Sequence, residues 1–200
     1  AADLRATGYA TALIGKAHFE PLLDPFLRFT ENRMGAHRST NENPNDPHRG
    51  FDHMELATHG AAGALHYSQW IRDNHPEAVS NYYRVLDNEL QVNAEGGGDT
   101  KAPQVHVNPI PTDWYHTEWV AQRTIAWLES LPADRDWFCW MSFPDPHHPW
   151  DPPASEMHRV RWQDLDLPEN YIANSTTREA VLDDKLKHWR GWYDGTFVSN

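Results

Sequence analysis

Trp137-Phe138-Cys139-Trp140-Met141-Ser142-Phe143 is an almost unbroken apolar run that passes directly into Pro144-Asp145-Pro146-His147-His148-Pro149. An apolar run of this length, bounded by turn residues, predicts a strand covered on both faces, as in a parallel sheet. Near the start of the chain, Tyr9 to Ile14 reads as a second short buried strand that ends at Gly15, with Gly8 as the left-handed cap of a helical turn over Asp3 to Thr7. Phe51 to Ala57 predicts another strand. Between them and the Trp137 run lies a predicted helix that Asp113 can cap and that reaches Leu131, where Pro132 stops it. Ala121, Ile125 and Leu128 mark its inward face, broadened by Val120, Trp127 and Leu131. Strand, helix and strand in this order predict the α/β class.

The remaining segments fit around this frame. Tyr67 to His75 and Pro76 to Asn88 read as short helices, the second with Pro76 in its first turn. Thr176 and Glu179 form a capping-box pattern for a last helix, with Leu182, Leu186, Trp189 and Tyr193 as its buried stripe. Ala17 to Arg49 and Glu89 to Thr112 are long polar excursions of the kind that carry function. Gly96-Gly97-Gly98 in the second lacks the spacing and following helix of a phosphate-cradling loop. No linker and no internal repeat divides the sequence, so residues 1–200 read as one domain, incomplete at both ends.

Composition narrows the function classes. Seventeen Lys+Arg against 29 Asp+Glu give a net charge of −12, which argues against binding to a nucleic-acid backbone. The longest apolar run falls far short of the roughly 20 residues that cross a bilayer, so no membrane span is expected. The single cysteine excludes an internal disulfide and a Cys-rich zinc module, and leaves periplasmic, secreted and cytoplasmic locations all open. That residue, Cys139, sits within the apolar run, where a thiol is usually inert packing. The start, Ala1-Ala2-Asp3-Leu4-Arg5, has no leader pattern and no initiator Met, and reads as the middle of a longer chain.

In an open α/β sheet, ligands bind beyond the carboxyl ends of the strands, and two predicted strands here end in cationic or titratable groups. After Gly15, Lys16 supplies a fixed positive charge, and His18 is placed to transfer a proton. After Ser142, the prolines at 144, 146 and 149 stiffen the backbone that presents His147 and His148, and Asp145 is a candidate to orient an imidazole. The plain alternative in each case is a solvated strand end. A zinc reading of His147 and His148 is weakened because adjacent histidines point apart and no His-Glu-x-x-His helix accompanies them. His106, His116 and Trp150 are further candidates to line a pocket.

Leu4-Arg5-Ala6-Thr7-Gly8-Tyr9-Ala10-Thr11-Ala12-Leu13-Ile14-Gly15-Lys16-Ala17-His18 resembles the second signature of the sulfatases, G-Y-x-T-x-x-x-G-K-x-H, at every specified position. Trp137 to Pro153 is similar to that family's strand followed by a P-H-x-P segment, and His48-Arg49-Gly50-Phe51-Asp52 and the helix from Tyr115 to Leu131 are weaker landmarks. The resemblance implies an alkaline-phosphatase-like α/β/α sandwich with a mixed, mostly parallel central sheet. It implies hydrolysis of sulfate esters, with a formylglycine nucleophile made from Cys or Ser and a divalent metal, commonly calcium. Its substrate would be a sulfated small molecule or glycan. Three matched residues take catalytic roles by this resemblance. Lys16 binds the sulfuryl oxygens, His18 takes a proton from the formylglycine hydrate as sulfate leaves, and His147 contacts sulfate and assists the leaving oxygen. His148 is placed as a substrate-side neighbour.

Elementary chemistry points the same way, because sulfuryl transfer spreads negative charge onto equatorial and leaving oxygens, where a fixed cation and a proton donor help most. Histidine, with an unperturbed pKa of about 6.5, serves at neutral pH. The nucleophile signature C/S-x-P-x-R is absent, as are the early Asp pair and the late Asp-Asn or Asp-His segment that hold the metal. The chain is therefore expected to be the central part of a sulfatase catalytic domain, with no metal ligands of its own and no turnover alone. Two alternatives accompany this reading: a phosphonate or phosphate ester hydrolase of the same superfamily, and a non-catalytic anion-binding homologue.

Overall fold

A computed structural model of the protein describes residues 1–20, 31, 48–58, 65–78, 107–147 and 150–184. Ala10–Gly15 forms β1, His53–Leu56 forms β2 and Trp137–Ser142 forms β3. They make one sheet in the order β2-β1-β3, and both pairings are parallel. The register sets Gly15 beside Leu56 on one side and beside Ser142 on the other. Helices α1 (Ala2–Ala6), α2 (His66–Asn74), α3 (His116–Glu129) and α4 (Ser175–Asp183) complete the regular elements. The class is α/β, as the order of elements predicts.

Side chains alternate across a strand, and β1 uses both faces. Ala12 and Ile14 join a cluster with Tyr67 and Ile71 of α2 and Trp119, Val120 and Trp127 of α3. Leu13 joins Ala17, Phe51, Met54, Leu56 and Leu65 on the opposite face. β1 is thus the central strand. β3 is not covered as its apolar sequence predicts, since Trp137 and Trp140 remain 52% and 45% exposed. An apolar pattern encodes a preference for burial, and β1 is the neighbour that β3 has among the described strands.

The expected face of α3 also needs correction. Its buried residues are His116, Trp119, Val120, Thr124 and Trp127, whereas Ile125 faces solvent. Counting only apolar residues misplaces the stripe, because Thr124 enters the core by donating its hydroxyl to the Val120 carbonyl at 2.8 Å. Asp113 does not cap the helix: it lies in a 3₁₀ turn, Thr112–Trp114, and Tyr115 takes the cap position. At α4, Asn174 is the cap and accepts from the Thr177 amide at 3.0 Å, in place of the Thr176 and Glu179 box. Pro76–Ala78 is a 3₁₀ turn where a helix was expected to begin. The rest of that expected helix, Gly96 to Gly98, and Leu186, Trp189 and Tyr193 lie outside the described residues.

An ion pair ties α3 to the sheet. Arg123 donates to both carboxylate oxygens of Glu55 in β2, at 2.5 and 2.9 Å, and His53 lies 2.8 Å from the same group. Burial opposes ionisation of Glu55, but the hydrogen bonds from His53 and Arg123 outweigh it and hold its pKa at about 2. A depressed carboxylate contributes stability that is present above the unfolded value and lost as pH falls through the folded one. Arg123→Ala is therefore expected to cost about 1–3 kcal/mol at pH 7, and the gap from the parent protein should narrow between pH 5 and pH 2. Thermal melts of both proteins across that range check it, and a pH-independent gap would reject the electrostatic account.

Candidate functional site

The exit of β1 is built on a contact that only glycine permits. Gly15 has φ +109, and a Cβ at this position would stand 1.7 Å from the Ser142 carbonyl oxygen. The closeness lets sheet pairing continue one step further, because the Lys16 amide donates to that same oxygen at 2.8 Å. Ala57 donates to the Gly15 carbonyl from the other side at 2.9 Å. Ala17 is buried in the core, so it anchors the turn between a half-buried Lys16 and an exposed His18. The backbone carrying Lys16 is fixed on three sides before any side chain acts.

Beyond His18 the chain is held by a carboxylate that the sequence reading passed over. Glu31, fully buried, accepts from the amides of Phe19 and Glu20 at 3.1 and 3.0 Å, and its own amide donates to Glu20 at 2.9 Å. His48 Nε2 lies 3.3 Å from the other Glu31 oxygen, and Arg49 lies 3.6 Å from Glu20. Glu31 sits in a stretch without periodicity, where composition gives no signal for a buried acid. Glu20, Glu31 and His48 bring ligand-type atoms within 4.8 Å of one another. With both Glu31 oxygens engaged and Arg49 beside Glu20, the cluster suits a latch on the loop after His18 better than a divalent cation.

The exit of β3 lies alongside. Pro144 is buried, Asp145 is half-buried, and Pro146 and His147 are exposed; the Asp145–Pro146 peptide is cis. His147 closes a turn by donating its amide to the Pro144 carbonyl at 3.3 Å, and the Trp150 indole N–H braces the segment by donating to the Pro146 carbonyl at 2.9 Å. Asp145 accepts from the Thr117 hydroxyl of α3 at 2.9 Å. His116 Nε2 stands 3.9 Å from Asp145, but burial lowers the His116 pKa to about 3, so the two do not form an ion pair at neutral pH. His116 is fully buried behind the segment and does not line a pocket, contrary to expectation. Trp150 is exposed, as a lining residue must be. His148 and His106 lie outside the described residues.

A second acid behind this segment also escaped sequence reading. Asp151 is buried and accepts from the Tyr115 hydroxyl and the Asn108 amide, each at 3.2 Å. Burial raises its pKa to about 7 against those two hydrogen bonds, and the nearby Asp145 adds to the rise. Burial also raises Asp145, and it raises the Cys139 thiol, as inert packing requires. Asp145 accepts from Thr117, and Asp151 from Tyr115 and Asn108, so both acids are engaged by neutral donors.

These features define an α/β protein whose candidate site stands where two adjacent parallel strands end, with a lysine on one exit and a proline-framed histidine on the other. Among known proteins, the chain is similar to an arylsulfatase of Clostridium perfringens (strain 13 / Type A), at 25% identity over 190 residues. The match takes in 90% of this chain and 32% of the relative, so the chain spans about a third of that protein's length. No family model matches the chain. The similarity supports a sulfatase-like chain. Among the described residues, no helix is long and apolar enough to cross a membrane.

Proposed function

We propose that this chain supplies the sulfate-binding and proton-transfer side of a sulfuric ester hydrolase, within an alkaline-phosphatase-like sandwich. The observation that carries the reading is the β1–β3 register, which sets Gly15 beside Ser142 and so starts the Lys16 to His18 and Asp145 to His147 segments from neighbouring positions. Lys16, on a backbone fixed by the Ser142 carbonyl, holds the sulfuryl oxygens and neutralises the charge that grows on them. His147, exposed on its proline-framed turn, contacts the sulfate and hands a proton to the leaving oxygen. His18 takes up a proton as sulfate is released, and His148 is a further contact to substrate. The substrate is a sulfated small molecule or glycan.

The divalent metal, commonly calcium, and the formylglycine of sulfatases would have to come from residues other than those described, and no step is assigned to them. A net charge of −12 does not oppose an anionic substrate, because charges more than about 10 Å away are screened at physiological salt while Lys16 acts locally.

The full-length enzyme assayed on matched aryl sulfate and aryl phosphate esters tests the reading. A kcat/KM preference for sulfate of about a hundredfold or more is expected, since the site must favour one transition state over the other. A strong phosphate preference would move the assignment to a phosphate or phosphonate ester hydrolase. Binding of sulfate esters without turnover of either would make the protein an anion-binding homologue.

A further inference from the structure

We propose that Asp151 is a positioning residue that, through Tyr115 and Asn108, clamps the segment from Pro144 to Pro153 and thereby sets where His147 stands. The inference rests on the reading of His147 as a substrate-side group. It starts from the way one helix end grips both ends of one segment. Tyr115 caps α3 and Thr117 lies in its first turn; Thr117 holds Asp145 at 2.9 Å, and Tyr115 holds Asp151 at 3.2 Å. His147 lies between these two fixed points.

Asn108 completes the clamp and has no freedom to spare. Its side-chain oxygen accepts from the Ile110 amide at 3.0 Å, its side-chain N–H₂ donates to Asp151, its backbone amide donates to the Pro152 carbonyl at 3.0 Å, and its carbonyl accepts from Ala154 at 2.9 Å. The amide cannot flip without orphaning Ile110. Asp151 therefore faces two donors, an arrangement that suits a carboxylate on both oxygens. Among the described residues no cationic side chain is paired with it, and a buried carboxylate without a cation is costly. A chain that only needed the segment packed would be more stable with a neutral residue here.

The groups facing Asp151 are Tyr115, Asn108 and, more remotely, Asp145; His116, against the Tyr115 ring, is neutral. Burial also pushes Tyr115 upward, so its hydroxyl keeps its proton and remains available as a donor. Near neutrality Asp151 exchanges between a carboxylate, which both donors satisfy but burial penalises, and a neutral acid, which burial favours. A group whose pKa is higher in the closed segment than in water favours closure in its protonated form, so the clamp is tighter on the acid side of about pH 7 and looser on the alkaline side.

Hydrogen exchange on the full-length protein tests this without relying on turnover. Protection of peptides spanning 144–154, measured against peptides of β1 as an internal reference, should fall severalfold between pH 6 and pH 8 in the parent protein. Asp151→Asn, a neutral isostere able to accept from Asn108 and donate to the Tyr115 oxygen, should flatten that step. Asp151→Ala should exchange at least tenfold faster at both pH values; if it fails to fold, Tyr115→Phe, which removes one donor only, should give an intermediate loss. An unchanged pH step in Asp151→Asn, or no step in the parent, overturns the proposal. With an alkyl sulfate, Asp151→Asn should lower kcat more than it raises KM and remove the matching limb of the pH profile. If the exchange step behaves as expected while His147→Ala leaves turnover intact, the clamp stands and the sulfatase reading falls.

Discussion

Gly15→Ala is expected to destabilise the protein by about 4 kcal/mol or more, enough to leave a marginal domain largely unfolded. Two costs combine. The backbone at φ +109 belongs to a region that residues with a Cβ occupy at a penalty of about 1–3 kcal/mol. The added methyl would also meet the Ser142 carbonyl oxygen at 1.7 Å, and that atom belongs to β3 and accepts the Lys16 amide, so it has no cheap way to move. Gly8→Ala separates the two terms, because Gly8 has φ +99 but nothing within 4 Å of its added Cβ. That variant should lose only about 1 kcal/mol. Denaturant melts of both variants check the comparison. Equal losses would mean that the Gly15 to Ser142 approach is not what holds the strand exits together.

That contact shows where sequence reading succeeds and where it stops. Gly8 and Gly15 were legible because a glycine after a helical turn, and another closing an apolar run, carry a backbone meaning of their own; both have positive φ. β1 was legible from Tyr9 to Ile14 because burial on both faces leaves an unbroken apolar pattern. The same pattern at Trp137 to Phe143 gave the strand but not its exposure, which depends on what packs beside it. Lys16, His18 and His147 stood out through motif and charge. Glu31, Asn108 and Asp151 did not, because each is a polar residue in a stretch of sequence without periodicity, and its role comes from partners 11, 43 and 36 positions away. Polar groups that hold a site in place are chosen by tertiary contact, and no local period announces them.

Lys16→Ala on any sulfate ester and His147→Ala on an alkyl or sugar sulfate are each expected to lower kcat/KM of the full-length enzyme by about 10²–10⁴, while leaving stability within about 0.5 kcal/mol. Little stability is at stake because His147 is exposed and the backbone of Lys16, rather than its side chain, completes the sheet. The two losses should differ in kind. A cation that neutralises charge on the sulfuryl oxygens acts on every substrate, so Lys16→Ala should depress esters with good and poor leaving groups alike. A proton donor to the leaving oxygen matters in proportion to the charge that accumulates there, so His147→Ala should be mild for a nitrophenyl ester and severe for an alkyl or sugar sulfate. The double variant should lose less than the product of the single losses, because both residues stabilise one transition state. Steady-state kinetics over a leaving-group series reads all of this, with melting curves as the control for folding. Turnover that survives both substitutions would remove the sulfatase assignment, and equal sensitivity to leaving group in the two single variants would remove the division of labour between the β1 and β3 exits.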